Sequence, residues 1–178
     1  LINRSRRAGK FVITATEMLE SMVTKLRPTR AEISDVANAV YDGTSAIMLS
    51  GETAAGEHPV EAVEAMAKIA RRTEKNIDYT VRFHDGHFQI KNTIDAISHA
   101  TCGMAIDIAA KAIVVTSMSG MTVRMVSRFR PPIDIIGMAT NKEVWYKLAL
   151  SWGVTPVLSE QFNSTDVLFY HALSAAKK

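Results

Sequence analysis

Two hydroxyl side chains and a carboxylate follow a short apolar run near the start of the chain. Residues 11–15 are mostly apolar and β-branched, which predicts a buried strand, and Thr16 and Glu17 come directly after it. In α/β proteins functional groups lie on the loops that follow the strands, where a hydroxyl can donate to an anionic substrate. Thr16 is therefore a candidate catalytic and substrate-binding residue. The alternative is that Thr16 only caps the next helical turn.

A second polar loop follows a second apolar run. Residues 46–49 predict another buried strand, and Ser50, Gly51 and Glu52 begin a loop expected over residues 50–57. Gly51 allows a sharp turn, and Ser50 and Glu52 could hold a water molecule or pass a proton. We therefore treat Ser50 and Glu52 as candidate catalytic residues, beside the alternative of a solvated loop.

The third candidate is the strand-to-helix turn at residues 117–122, with the sequence SMSGMT. Hydroxyls, a glycine and free backbone N–H groups at the start of a helix can form a nest for a phosphate group. Ser117, Ser119, Gly120 and Thr122 are accordingly candidate residues for binding a phosphorylated effector. A plain helix cap is the alternative.

Local signals place helices around the first two loops. Thr29 with Glu32 three residues later has the spacing of a capping box, and Gly43 suits the end of the same helix. A second helix is predicted to start at Pro59 and to run to about residue 76. Four apolar side chains share the face that this helix is expected to bury: Val60, Val63, Ala67 and Ala70.

The second half alternates strands with helices. Residues 94–110 are predicted to be helical, either as one helix or as two pieces that meet near residues 101–103. The strands that follow are predicted at residues 112–116, 133–138 and 154–158, and the helices at 122–129, 141–152 and from about 165. Thr140 with Glu143 is the predicted cap of the middle helix, and Gly153 closes it.

Short connections between alternating strands and helices predict parallel strands. Two βα units are too few to cover a parallel sheet on both sides, but they match the end of a (β/α)8 barrel. The three later units predict a three-layer α/β/α domain. We therefore expect an α/β chain in which residues 1–77 end a barrel, residues 78–92 form an irregular linker, and residues 93–178 form a second, truncated domain.

Composition argues against a nucleic-acid-binding protein, a membrane-spanning protein and a disulfide-bonded protein. The net charge of +3 comes with no dense basic run, so we expect no nucleic-acid partner, and no apolar stretch is long enough to span a membrane. The one cysteine, Cys102, excludes an internal disulfide, favours a reducing compartment and is expected to be a buried, inert thiol. The chain starts at Leu1 without an initiator Met and stops within a helical pattern, which suggests a piece of a longer protein.

The first third of the chain resembles the pyruvate kinases. The matching stretches stand in the family's order and spacing: ATEMLESM (15–22), RPTRAE (27–32), SDVANAV (34–40) and MLSGETA (48–54). The likeness continues more loosely through VSRFRP (126–131) and WGV (152–154). The resemblance therefore extends over essentially the whole chain and is most specific in the first third.

The resemblance implies phosphoryl transfer from phosphoenolpyruvate to ADP, giving pyruvate and ATP, with Mg2+ or Mn2+ and usually K+ as cofactors. It implies that Thr16 contacts the substrate, that Ser50 helps to protonate the enolate, and that Glu52 shapes the same region. It also implies a cytoplasmic homotetramer regulated by a phosphorylated effector. The metal-, potassium- and ADP-binding residues of the family correspond to sequence upstream of Leu1, so we expect the chain alone to be inactive.

Two departures from the family pattern affect these expectations. Glu17 stands where many relatives have Gln, which adds negative charge beside Thr16. Met121 stands where relatives regulated by sugar bisphosphates often have a polar or basic residue, which weakens the case for that effector. Two other readings of the chain are a free-standing module that binds phosphorylated metabolites and a degenerate paralogue kept for oligomerisation.

Overall fold

The computed structural model describes residues 1–86 and 88–177, and the chain forms two compact units, Leu1–Ile77 and Asp78–Lys178. The first unit contains α1 (Ile2–Arg7), β1 (Ile13–Thr14), a 3₁₀ turn (Glu20–Val23), α2 (Arg30–Asp42), β2 (Ala46–Ile47), α3 (Gly51–Ala54) and α4 (Pro59–Glu74). The second contains α5 (Tyr79–His84), α6 (Thr93–Asp107), β3 (Ala112–Ser117), α7 (Met121–Ser127), β4 (Asp134–Ala139), α8 (Lys142–Leu148), β5 (Val154–Leu158) and α9 (Thr165–Ala176).

The ends of α2 are those predicted from the sequence. The Thr29 side chain accepts a hydrogen bond from the Glu32 N–H (3.3 Å), and the Glu32 carboxylate accepts one from the Thr29 N–H (2.7 Å). Gly43 ends the helix with φ of 89°, in the left-handed region that a residue without Cβ adopts easily. The predicted capping box and glycine stop are both confirmed.

β1 and β2 are parallel, as predicted, with Ile13 opposite Ala46 and Thr14 opposite Ile47. Both strands are shorter than expected, and the prediction that they are buried was wrong, since the Ile13 side chain is 51% exposed. Within residues 1–86 and 88–177, these two strands pair only with each other. The apolar runs at residues 11–15 and 46–49 were therefore correct as strands but not as core.

The core of the first unit lies between the 3₁₀ turn, α2 and α4. Its buried side chains are Met18, Leu19, Met22, Val36, Ala39, Ala62 and Met66. The predicted face of α4 was wrong: Val60 and Val63 are 65% and 52% exposed, whereas Ala62 and Met66 are buried. The buried stripe is displaced by one residue, about 100° around the helix axis, so that Ala62 and Met66 face the core.

The second unit is built on a parallel sheet in the order β3-β4-β5. Ile113 lies opposite Ile135, and Ile135 opposite Val154, so these side chains share one face of the sheet. That face packs with Cys102 of α6, Val123 and Val126 of α7, and Val144 and Leu148 of α8. Helix α9 contacts β3 and β4. Thr116 and Met138 alternate to the opposite face of the sheet, where they line one cavity together with Leu168 of α9. Helices therefore lie on both faces, as the three-layer prediction requires.

The structure decides one open choice in the second unit and corrects other predictions there. Helix α6 is a single helix from Thr93 to Asp107, without a break near residues 101–103. Helix α8 is capped by Asn141, which accepts from the Val144 N–H (2.9 Å), and not by Thr140. The segment 78–92 was expected to be irregular, but it contains α5, whose Phe83 belongs to the core of this unit.

Two properties expected from composition can be compared with the structure. Cys102 is completely buried, and desolvation raises the pKa of its thiol to about 12, as expected for an inert cysteine. Among the described helices, none combines the length and the apolar character needed to cross a lipid bilayer.

Candidate functional site

Thr16 lies two residues beyond the end of β1 and is exposed. Its hydroxyl donates to the carbonyl of Ala15 (2.6 Å), and its φ is 70°. Glu17 is also exposed and has φ of 52°. Both residues therefore occupy the left-handed region, which a β-branched side chain such as that of Thr16 strongly disfavours. The loop after β1 presents the predicted hydroxyl in a strained backbone conformation.

Glu52 links the loop after β1 to the loop after β2. Its Oε1 accepts from the Leu19 N–H (3.0 Å) and its Oε2 from the Ser50 N–H (2.8 Å). Because β1 and β2 are parallel neighbours, the loops carrying Thr16 and Ser50 leave the same edge of the sheet. Ser50 is exposed there, whereas the Glu52 side chain is only 1% exposed. Residues 50–57, predicted as a loop, contain the short helix α3.

The hydrogen bonds of Glu52 determine its protonation. Burial by itself raises the pKa of this carboxyl, but the backbone N–H groups of Ser50, Glu52 and Leu19 outweigh burial and hold the pKa below its ordinary value. The group is therefore a carboxylate at neutral pH, with both oxygens already bound to the backbone. This geometry suits a residue that holds two loops together better than one that carries a proton.

Glu32 was predicted only as a cap, yet it has a second contact. Its carboxylate accepts from the Ser21 N–H (2.6 Å) and from the Ser21 hydroxyl (2.5 Å). The capping-box spacing identified Glu32, but no sequence signal indicated Ser21 as its partner. Glu32 and Glu52 thus both bind the segment that begins with Thr16.

The turn at residues 117–122 connects β3 to α7. Gly120 is buried, with φ of 75°, and a Cβ there would lie 3.1 Å from Val144 Cγ1 and 3.2 Å from Leu148 Cδ2. The glycine is therefore required by backbone conformation and by packing against α8, not only by approach to a ligand. Ser119 is exposed, and its hydroxyl accepts a long hydrogen bond from the Met121 N–H (3.4 Å).

A cavity of about 170 Å³ lies beside this turn, at the carboxyl ends of all three strands. Ser117, Thr140 and Ser159, which end or follow β3, β4 and β5, contribute to its wall. Of these three residues, only Ser117 was predicted from the sequence, although Thr140 and Ser159 also follow predicted strands. Glu160 also lines the cavity, and its negative charge opposes an anion. Ser119, Gly120 and Thr122 do not line it.

The candidate residues supply hydroxyls rather than a metal site. Within residues 1–86 and 88–177, no group of three or more His, Cys, Asp or Glu side chains is arranged to hold a metal ion. Thr16 and Ser50 can donate to a substrate oxygen, and Glu52 keeps their loops together. The described residues therefore do not fit the divalent cation that the resemblance implies.

Comparison with known sequences gives a consistent result. The family model described as "Pyruvate kinase, barrel domain" matches residues 1–63, and "Pyruvate kinase, alpha/beta domain" matches residues 95–178. The chain is 48% identical to the pyruvate kinase of Clostridium acetobutylicum over 178 residues, covering 99% of this chain and 37% of the relative. It is 46% identical to that of Geobacillus stearothermophilus over 177 residues, covering 99% and 30%.

The fold agrees with these matches. A crystal structure of a pyruvate kinase from Cryptosporidium parvum is similar with a TM-score of 0.93 at 40% identity, covering 99% of this chain and 36% of that one. The chain spans about a third of the length of its curated relatives. The first unit is thus the end of a (β/α)8 barrel and the second an α/β domain of the same enzyme class. Matching sequence, order of domains and fold together show that this chain belongs to the pyruvate kinase family.

Proposed function

We propose that this chain is part of an enzyme that transfers a phosphoryl group from phosphoenolpyruvate to ADP, giving pyruvate and ATP. The observation that carries the proposal is the loop after β1, where the motif ATEMLESM (15–22) presents Thr16 in a strained, exposed conformation at the carboxyl edge of the strands. Strained backbone in such a loop is typical of sites that position a ligand. The domain division is part of the same proposal: residues 1–77 belong to the barrel domain, and the second domain begins at Asp78 rather than after a linker.

Each candidate residue has a distinct proposed role. The Thr16 hydroxyl donates to the anionic substrate and stabilises the charge that develops on it. Ser50 lies at the same edge and helps to protonate the enolate left when the phosphoryl group departs. For Glu52 we replace the catalytic role by a positioning role, because its ionised carboxylate is buried and bound to the Leu19 and Ser50 N–H groups.

The proposed cofactors are supported by membership of the family and not by the described residues, which form no metal site. We propose that Mg2+ or Mn2+, together with K+, serves the reaction and is bound by residues outside this chain. ADP is likewise bound by residues outside this chain. The divalent ion would neutralise the negative charge of the reacting phosphates. We also propose a cytoplasmic homotetramer, for which the support is membership of the family.

We propose that a phosphorylated effector, such as a sugar phosphate or a nucleotide monophosphate, binds at residues 117–122. Three observations bear on this site: the hydroxyls of Ser117 and Ser119, the start of α7, and the adjoining cavity of about 170 Å³. Met121 offers no cation and Glu160 adds negative charge, so we expect weaker binding than in a relative with a basic residue at this turn.

The activity is tested by coupling pyruvate formation to lactate dehydrogenase. The 178-residue chain and the longer protein that contains it are assayed with phosphoenolpyruvate, ADP, Mg2+ and K+. We expect activity only from the longer protein. Absence of pyruvate formation there would disprove the proposed function and favour a module that only binds phosphorylated metabolites.

The proposed roles of individual residues are tested in the longer protein. Thr16→Val should lower kcat about 10- to 1,000-fold, because a donor to developing charge is lost. Unchanged kinetics would remove Thr16 from the site. A panel of phosphorylated metabolites, applied to wild type, Ser119→Ala and Thr122→Val, tests the effector site. If an effector activates all three proteins with the same half-saturation, residues 117–122 are only a helix cap.

A further inference from the structure

The loop that carries Thr16 needs an external support. Thr16 and Glu17 are consecutive non-glycine residues with φ of 70° and 52°. Each conformation is uncommon by itself, and for the β-branched Thr16 it is an outlier. A strained pair of this kind persists only where the surrounding structure holds the chain on either side of it. On one side β1 pairs with β2, so the question is what holds the other side.

Two buried or half-buried carboxylates hold the other side. The Leu19 N–H is bound to Glu52, and the Ser21 N–H and hydroxyl are both bound to Glu32. Between and beside these anchors, Met18, Leu19 and Met22 are packed in the core of the unit. The backbone is therefore fixed within five residues of Thr16, by bonds to partners that lie 33 and 11 residues further along the chain.

Glu32 makes more bonds than a helix cap needs. A capping box uses one bond in each direction between Thr29 and Glu32, and both are present. The same carboxylate also accepts from the Thr29 hydroxyl (2.8 Å) and makes the two bonds to Ser21. Burial raises the pKa of Glu32, but these donors together lower it to about 2, so the group is fully ionised at neutral pH. Its bonds to Ser21 are accordingly charge-assisted.

We propose that Glu32 is a positioning residue for the candidate substrate site. By binding Ser21, Glu32 fixes the position of the backbone that follows Thr16. Thr16 therefore stays in its left-handed conformation, with its hydroxyl at the edge of the strands. When Glu32 no longer holds Ser21, the strained pair relaxes and the Thr16 hydroxyl leaves its position. The inference concerns the site to which the proposed function assigns phosphoenolpyruvate, and to that extent it rests on that function.

The first test measures the anchor without any activity assay. Amide hydrogen exchange over residues 16–23 is compared in the longer protein for wild type, Glu32→Gln and Thr29→Ala. Gln is accepted at this position of a capping box, so Glu32→Gln keeps the helix cap but loses the charge that binds Ser21. Thr29→Ala removes the hydroxyl that caps the helix but keeps the charged Glu32 side chain that binds Ser21. We expect exchange to accelerate by roughly 10-fold or more in Glu32→Gln and to change by less than about 2-fold in Thr29→Ala. Equal exchange in Glu32→Gln and wild type would overturn the proposal.

The second test asks whether Glu32 acts through Thr16. In a wild-type background, Glu32→Gln should lower kcat/KM for phosphoenolpyruvate by about 10- to 100-fold, because a misplaced donor loses most of its effect. The KM for ADP should stay within about 2-fold, which general loss of structure would not produce. In a Thr16→Val background, Glu32→Gln should have no further effect.

The outcomes separate this inference from the proposed function. Additive effects of Glu32→Gln and Thr16→Val would show that Glu32 acts independently of Thr16 and would overturn the positioning role. If the wild-type longer protein forms no pyruvate, the proposed function fails, while the exchange measurement still decides whether Glu32 anchors the loop. Faster exchange in Glu32→Gln with unchanged kcat/KM would also count against the inference.

Discussion

A buried ion pair in the second unit allows a quantitative prediction. Arg128 and Asp95 are joined by a bond of 2.8 Å between Nη2 and Oδ1, and their side chains are only 8% and 6% exposed. The other carboxylate oxygen of Asp95 accepts from the Lys91 N–H (3.1 Å). The guanidinium of Arg128 also lies over the Phe129 ring, 4.7 Å from its centroid. Arg128→Met therefore leaves a buried carboxylate with one backbone donor and without its cation.

Removing one partner of a buried ion pair costs about 3–5 kcal/mol, because the remaining charge stays desolvated. A unit of this size has a total stability of roughly 5–15 kcal/mol, so the loss is a large fraction of it. With an m-value of roughly 1.3 kcal/mol per M urea, the urea midpoint should fall by about 2–4 M. The double variant Asp95→Leu/Arg128→Met removes both charges and should recover most of the loss.

The assay is urea unfolding followed by tryptophan fluorescence. Both tryptophans, Trp145 and Trp152, lie in the second unit, so the signal reports on that unit alone. The matched control is Lys147→Met, which breaks the ion pair with Glu143 on the surface of α8, where both side chains are well exposed. This control should barely move the midpoint, because water screens exposed charges. Equal shifts for Arg128→Met and Lys147→Met would refute the reasoning.

Three further predictions concern acid stability, thiol reactivity and backbone strain. The pKa of Glu32 is lowered from 4.5 to about 2, so its contribution to the free energy of unfolding is complete above pH 4.5 and is lost as the pH falls towards 2. In an acid titration followed by circular dichroism, Glu32→Gln should lack this pH-dependent loss of stability. Cys102 should react with a disulfide reagent at pH 8 at least about 100-fold more slowly in the native chain than in guanidinium, and equal rates would contradict its burial. Gly120→Ala should lower the free energy of unfolding by about 1–3 kcal/mol, because φ is positive there and the added Cβ would be crowded by α8. Gly153→Ala should cost less, because φ is positive but nothing lies within 4 Å of the added Cβ. Thermal melts of the two variants make the comparison.

Local signals predicted many element ends correctly. The capping box of Thr29 and Glu32 and the glycine at position 43 marked both ends of α2. Strand β5 and the start of α9 were also predicted correctly, at Val154–Leu158 and Thr165. Such signals work because a cap or a left-handed glycine satisfies backbone groups only a few residues away. Where two caps competed, as with Thr140 and Asn141 at α8, spacing alone chose the wrong one.

Predictions of burial failed where the partner element decided the outcome. Val60 and Val63 have the spacing of a core stripe, yet they are exposed, and Ile13 lies in an apolar run but is half exposed. Hydrophobic periodicity shows which side chains could share a face, but not which face finds a neighbour. In the first unit, α4 packs against α2, α3 and the 3₁₀ turn, and the face that carries Ala62 and Met66 is the one that meets them.

The sequence by itself determined the fold class, the parallel strands, the family and the hydroxyls that follow the strands. Each of these depends on local periodicity or on motifs of contiguous residues. Only the tertiary structure decided that Glu52 binds the N–H groups of Leu19 and Ser50, and that Glu32 binds Ser21 as well as its own helix end. Such contacts join residues far apart in the chain, and they form only when packing brings two loops to one edge of the strands. The strained conformation of Thr16 follows from those contacts, so it could not be deduced from residue types and spacing.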